Sequence, residues 1–250
     1  GGTNFGFWAG ANSPQPGIYQ PDVTSYDYDA PINEMGQATP KYMALRELTQ
    51  KYSKKKLAPI PAPIPVITFP ATETQKYASI WDNLPAAKPI VQPLPMEMMN
   101  QYEGMILYRT KLIGHKSGTL RVDEVHDYAT VFLNGRYIGS IDRTLGQHSI
   151  DLPVSNVENP VLDILVESMG RINFAAQMID RKGITDRVTL NGMTLMNWDA
   201  FNIPMSTEYV SKLKQTDTVR PGMFFKATVQ LDKAGDCYID MKDFTKGLVY

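Results

Sequence analysis

Cysteine is almost missing from this chain. Cys237 is the single one among 250 residues, which excludes an internal disulfide and any cysteine-built zinc site. Histidine is nearly as scarce. His115, His126 and His148 lie too far apart for an i,i+3 or i,i+4 ligand pair, which argues against a metal centre. An excess charge of one sign is absent too: 25 basic residues against 26 acidic ones leave a formal net charge of −1. No basic stripe is available to track phosphates, so nucleic acid is not an expected partner. No apolar run approaches the ~18 residues that a membrane span needs. Gly1-Gly2-Thr3 lacks the Lys of a phosphate-binding loop, and neither a dinucleotide fingerprint nor a serine-hydrolase elbow occurs. A secretory leader is not seen either. The chain opens on Gly1 without Met and closes on the apolar Gly247-Leu248-Val249-Tyr250, so both ends read as cut from something longer.

What is present is enough apolar material for a sizeable core: 43% hydrophobic and 20% charged residues rule out general disorder. At this length one large domain or two small ones fit. Residues 1–36, rich in Gly, Pro, Asn and Tyr, read as a strand end and a long loop. A helix is expected over 39–54. Thr39 can cap it, Pro40 suits its first position, and Tyr42, Leu45, Leu48 or Thr49, and Tyr52 fall on one face. Lys51, Lys54, Lys55 and Lys56 crowd its end, where cations suit the helix dipole better than they suggest a phosphate patch. Residues 57–95 hold nine of the 18 prolines, with Pro59, Pro61, Pro63 and Pro65 in alternation. Such a stretch is an extended connector with possible strands, since proline fixes φ and removes donors; a PxxP ligand is the lesser reading.

Beyond residue 96 the hydrophobic period becomes two. Met105, Leu107 and Arg109 alternate with Ile106, Tyr108 and Thr110. Thr130 to Leu133, then Asn134-Gly135, then Tyr137 to Gly139 is a hairpin signal, because Asn-Gly supplies the two positive-φ positions of a type I′ turn. Val161 to Glu167 is another strand, with Leu162, Ile164 and Val166 on one face, and Val188 to Leu190 before Asn191-Gly192 repeats the hairpin pattern. Many short strands and turns predict an antiparallel sandwich or jelly roll, with one short helix near 207–214. Gly104-Met105-Ile106-Leu107 is echoed by Gly222-Met223-Phe224-Phe225; alternating strands also echo by chance, so duplication and coincidence stay equally open. The expected division is 1–56, 57–95, 96–206 and 207–250.

The densest chemical stretch is Thr24-Ser25-Tyr26-Asp27-Tyr28-Asp29-Ala30-Pro31. In an extended segment Tyr26 and Tyr28 share one side, Asp27 and Asp29 the other. Two such carboxylates could form a glycosidase pair, but aspartates in a Pro/Ser-rich loop more often cap turns.

That stretch, with Gly1-Gly2-Thr3-Asn4-Phe5-Gly6 before it and Glu34-x-Gly36 after it, resembles glycoside hydrolase family 35, the β-galactosidases. The resemblance continues through Lys41-Tyr42-x-Ala44-Leu45-Arg46, Leu107-Tyr108-Arg109-Thr110, Val125-His126-Asp127-x-Ala129, Leu165 to Asn173, Asp180-x-Lys182-Gly183-Ile184 and Phe244-Thr245-Lys246-Gly247, nearly the whole chain. It implies a mainly β chain: the last β/α unit of a TIM barrel, a Pro-rich connector, a galactose-binding-like jelly roll over 96–206, and the truncated start of a second β-sandwich over 207–250. Gly1–Phe7 would be the last barrel strand and residues 8–36 its loop. It also implies a retaining β-galactosidase acting on β-galactosides, without metal or organic cofactor, in a secreted, periplasmic or lysosome-like setting. The family's two catalytic glutamates lie on earlier strands, so no catalytic residue is expected here, and Glu34 and Glu47 do not take those roles. Tyr28 and Tyr26 are the expected substrate contacts. Trp8 could face the cleft but fits the core better; Trp81 and Trp198 read as packing, His126 as a satisfied structural histidine, and Arg171 and Asn173 as turn-fixing or interdomain residues. Ala9 departs from the family pattern, where many relatives carry Asn, and the loop from Pro14 to Val23 varies in length. A free-standing carbohydrate-binding or purely structural β-sandwich is the alternative function. The segment alone is expected to be inactive.

Overall fold

The structure is a computed structural model that describes residues 6–22, 29–114, 117–174, 176–240, 242 and 247–250. The chain separates into two compact units. One gathers residues 1–5, 23–74 and 227–249; the other gathers 6–22, 75–226 and Tyr250.

The first unit holds the helix α1, Pro40–Tyr52. Thr39 caps it as the sequence predicts: its hydroxyl accepts from the Tyr42 N–H, and Pro40 occupies the opening turn, where no donor is needed. None of its residues is buried. Met43, Leu45, Leu48 and Tyr52 are all exposed, Tyr52 at 77%. The prolines from Pro59 onward run extended to Val66, which bridges to Asp236; Pro65 O accepts from the Asp236 N–H.

The second unit is a β-sandwich with a strap. Its strands, in chain order, open with β1 (Gly10–Asn12) and β2 (Gln20–Pro21), the strap. Then come β3 (Gln75–Ser79), β4 (Lys88–Ile90), β5 (Met105–Lys111), β6 (Gly118–Val122), β7 (Val125–His126), β8 (Tyr128–Leu133) and β9 (Arg136–Asp142). The rest are β10 (Ser149–Leu152), β11 (Val161–Glu167), β12 (Arg171–Ile172), β13 (Gly183–Ile184), β14 (Val188–Leu190), β15 (Met193–Thr194), β16 (Trp198–Ile203) and, after the helix α2 (Thr207–Ser211), β17 (Met223–Lys226).

A six-stranded sheet, ordered β4-β16-β5-β11-β8-β9, packs against a four-stranded one, β10-β6-β14-β15. All pairings within both are antiparallel. Both Asn-Gly hairpins form where the sequence places them, between β8 and β9 and between β14 and β15. Between the sheets lie Ile106, Tyr108, Val131, Leu162, Ile164 and Val166 from one side and Leu120, Val122, Val188 and Leu190 from the other. Each aliphatic side chain so buried is worth ~1.5–3 kcal/mol against exposure.

The sequence foresees one buried face on β11. Both are buried. Leu107, Phe132, Leu165 and Phe201 on the outer face of the large sheet are at most 8% exposed, and Trp81 packs edge-on against Phe132 at 4.6 Å. Asp163 sits on that face too, at 2% exposure, and is matched by Arg109, whose Nε is 2.6 Å away. β3 and β4 fall inside the stretch read as connector: β4 is the edge strand of the large sheet, and β3 pairs with β17. Gly104 and Gly222, the two ends of the sequence echo, each take positive φ (91° and 99°) just before a strand.

Two expectations are corrected. Residues 6–8 form a 3₁₀ turn and the strand follows at Gly10, because Gly10 and Ala11 pair in parallel with Arg171 and Ile172. Residues 1–5 lie outside the described ones. Trp8 is not a core residue. At 84% exposure it is held in that turn, ahead of the point where the strap meets the sandwich.

Candidate functional site

Tyr26 and Tyr28, the expected substrate contacts, lie outside the described residues, as does Asp27. Asp29 is described. It is 84% exposed in its side chain and paired with Lys41, whose Nζ is 3.0 Å from its carboxylate and 2.7 Å from its backbone carbonyl. It is held as a loop anchor of α1.

The strongest convergence of chemistry is in the second unit, where the strap crosses the sandwich. Asp180-x-Lys182 leads into β13, and the spacing of two puts both side chains on one side of an extended segment. Lys182 is fully buried, and its ammonium donates to Asp127 Oδ2 at 2.7 Å, Asp180 Oδ2 at 2.8 Å and Gly170 O at 2.9 Å. That exhausts its three protons. Arg143, from the 3₁₀ turn after β9, bridges the other oxygens of both carboxylates: its Nη1 lies 2.6 Å from Asp127 Oδ1 and 2.8 Å from Asp180 Oδ1. Backbone N–H groups complete the shell, Met169 donating to Asp127 and Ile172 to Asp180. Two cations face two carboxylates. The cluster is neutral as well as saturated, the condition under which buried charges are tolerated.

Tyr19 closes it. The phenol, 4% exposed, lies with its ring 4.1 Å from the Arg143 guanidinium and 5.1 Å from the Lys182 ammonium, and its hydroxyl donates to Gly170 O. Burial raises the Tyr19 pKa, and the charges of Asp127 and Asp180 add to that, so the hydroxyl stays a donor. Burial also pushes the Asp180 carboxyl up. Hydrogen bonds from His126 and Lys182 and the charges of Lys182 and Arg143 outweigh it and hold the group well below the carboxylate range. Gly170 must be glycine here: a Cβ would meet Gly10 O at 1.9 Å, where β1 lies against the chain entering β12.

An outer ring surrounds this centre. His126 Nδ1 is 2.6 Å from Arg181 O and 3.4 Å from Asp180 Oδ1, and its Nε2 is 3.2 Å from Glu124. Glu97 accepts from the Lys182 and Arg171 N–H groups, and Arg171 donates onward to Asp180 O at 3.0 Å and to Tyr102 O.

The two buried carboxylates do not form a hydrolytic pair. Each is filled with donors and closed to solvent, so neither can attack a sugar carbon or pass it a proton. The arrangement locks segments together. His126, Asp127, Arg171, Asp180 and Lys182 stand in motifs visible in the sequence; Tyr19, Glu97 and Arg143 carry no local signal. Elsewhere, a groove of about 490 Å³ lined by Leu112, Ile113, Gly114, Asn156, Glu158 and Asn159 offers a single ionisable side chain. No group of three or more metal-ligating side chains occurs among the described residues, and no helix among them is long and apolar enough to cross a membrane.

Comparison with known proteins places the chain among the glycoside hydrolases and narrows the class further. Residues 93–204 match the model "Beta-galactosidase, first all-beta domain", and residues 1–52 match "Glycosyl hydrolases family 35". The β-galactosidase of Xanthomonas manihotis is 39% identical over the whole of this chain, which covers 42% of that protein. The β-galactosidase of Bos taurus is 38% identical over 85% of the chain and 33% of its own length; beta-galactosidase 8 of Oryza sativa subsp. japonica is 37% identical over 88% and 35%. The chain belongs to glycoside hydrolase family 35. It spans less than half the length of these relatives.

Proposed function

We propose that this chain is part of a retaining exo-β-galactosidase that removes terminal non-reducing β-D-galactose, and that it supplies the end of the catalytic barrel and the accessory β-domains. The observation that carries the reading is the family 35 match over residues 1–52, the stretch that contains Tyr26 to Pro31. Both catalytic glutamates lie outside this sequence, and Tyr26 and Tyr28 contact the sugar from the rim of the pocket. The reaction needs no metal or cofactor: one carboxylate attacks the anomeric carbon and displaces the aglycone, which the second protonates, and water then releases the sugar. The proposed organisation is barrel end over 1–56, connector over 57–95, first sandwich over 96–206 and a second sandwich starting at 207. A secreted, periplasmic or lysosome-like location suits such substrates.

The test is Tyr28→Phe in the full-length protein. Removing only the hydroxyl is expected to cost about 1–3 kcal/mol in kcat/KM on an aryl β-galactoside, since a buried polar partner loses its donor. Tyr77→Phe, whose hydroxyl donates to Leu213 O in the sandwich, leaves kcat/KM unchanged. Equal losses at both positions would make Tyr28 a packing residue. The 250-residue chain alone is expected to release no chromophore; release that is abolished by Asp27→Asn would overturn the assignment of the catalytic pair.

A further inference from the structure

The groove of about 490 Å³ lies where the chain leaves β5 and where the loop before β11 passes it. Leu112, fully buried, and Ile113, 74% exposed, give it an apolar side. Asn156, Glu158 and Asn159 line the other side, all three exposed and none paired in its side chain among the described residues. The loop that carries them is held at both ends. Ser155 Oγ accepts from the Val157 N–H and from Asn134 Nδ2, each at 3.1 Å, and the Val161 N–H donates to Asn134 Oδ1 at 2.9 Å. The Leu112 N–H donates to Pro160 O at 2.9 Å, which ties the loop to the end of β5. A wall fixed in advance costs little to order when a ligand arrives.

The lining selects a ligand class. An amide carries an acceptor and two donors in one plane, and a carboxylate accepts only. That set suits adjacent hydroxyls, each of which both donates and accepts, while Ile113 offers a surface for a C–H face. Phosphate or sulfate finds no cation among the lining residues, and a metal ion finds one carboxylate. An apolar ligand would bury three unpaired polar side chains. We infer that this groove binds a neutral sugar, held by Asn156, Glu158 and Asn159 with its C–H face on Ile113. The choice of galactose as that sugar rests on the functional reading above. A single carboxylate cannot serve as both nucleophile and acid, so the groove binds and does not cleave.

The experiment titrates the full-length protein, carbon-13 labelled at the isoleucine δ1 methyls, with galactose and follows the methyl signals by NMR. Ile113 is identified by its loss in Ile113→Val, and Ile164, enclosed between the sheets, is the internal control. The expected result is a saturable movement of the Ile113 signal at about millimolar galactose, with half-saturation raised about fivefold or more in Asn156→Ala and in Glu158→Ala. Glycerol moves it in none of them, and Ile164 stays in place throughout, which shows that the variants keep the sandwich. An Ile113 signal that does not move up to the solubility limit of galactose would overturn the inference. So would a movement that both variants leave unchanged, since its source would then lie elsewhere in the protein. A wild type that binds galactose in the groove but cleaves no β-galactoside would overturn the functional reading and uphold the groove.

Discussion

Two ionic networks in the sandwich unit differ in almost everything except their chemistry. In one, Asp123 at the end of β6 takes the Nε groups of Arg121, at 2.5 Å, and Arg187, at 2.7 Å, with both arginines more than half exposed. In the other, Lys182, Asp127 and Asp180 are shielded from water and every donor finds an acceptor. The first is an unequal set, two cations on one acid, and solvent makes up the difference. The second must balance internally, since water cannot repair an error there. Burial therefore turns the second network into a lock that holds one arrangement of β12, β13, the 3₁₀ turn after β9 and the strap, whereas the first is dispensable.

The contrast can be broken most directly at Lys182. Lys182→Met leaves two carboxylates facing each other and Arg143 alone, and is expected to cost about 3–5 kcal/mol in urea unfolding of the chain. Adding Asp180→Asn to it, which leaves Arg143 facing the single carboxylate Asp127, recovers part of the loss; a Lys182→Met variant that unfolds like wild type would put the buried network on a par with the exposed one. Acid sharpens the comparison next. A folded-state carboxyl held below its ordinary value contributes stability that is present above that value and fades as pH falls beneath it. Depression of Asp180 therefore predicts a wild-type melting temperature that drops as pH falls below ~4, and a flatter profile in Asp180→Asn. Tyr19→Phe comes third, at roughly 1 kcal/mol, because Gly170 O keeps the Lys182 bond. The smallest effect is expected from Arg187→Ala, a shift in melting temperature that disappears at high salt.

How much of this the sequence discloses depends on how local the cause is. Asn134-Gly135 and Asn191-Gly192 dictate their turns through the backbone of two residues, and both hairpins stand where expected. Thr39 and Pro40 act within one helical turn and cap α1 as read. The second buried face of β11 depends on what covers that side of the large sheet, and Trp81, which packs there on Phe132, comes from a stretch whose prolines read as a connector. The cluster is further out of reach. Tyr19 meets Gly170 across 151 residues, so no window of sequence contains the bond. Asp127, Asp180 and Lys182 could be picked out as motif members, but nothing nearby tells a buried ion lock from a set of surface charges. The proposed sugar contacts, Tyr26 and Tyr28, were legible only through the family resemblance.

The two hairpin asparagines have a consequence for chemical ageing. Asn-Gly sequences lose their side-chain amide when the following glycine nitrogen attacks the side-chain carbon and expels ammonia, closing a ring that reopens to aspartate or isoaspartate. In this protein the groups involved are occupied. Asn134 accepts from the Val161 N–H and donates to Ser155 Oγ, while Asn191 accepts from the Thr119 N–H and donates to Ser117 O. Each side chain is turned across to a neighbouring strand and away from its own glycine. Folded chain is expected to keep both amides through long storage, and chain held in urea to lose them at the usual fast rate of this dipeptide. Isoaspartate found at Asn134 or Asn191 by peptide mapping would then record how long that hairpin had spent open.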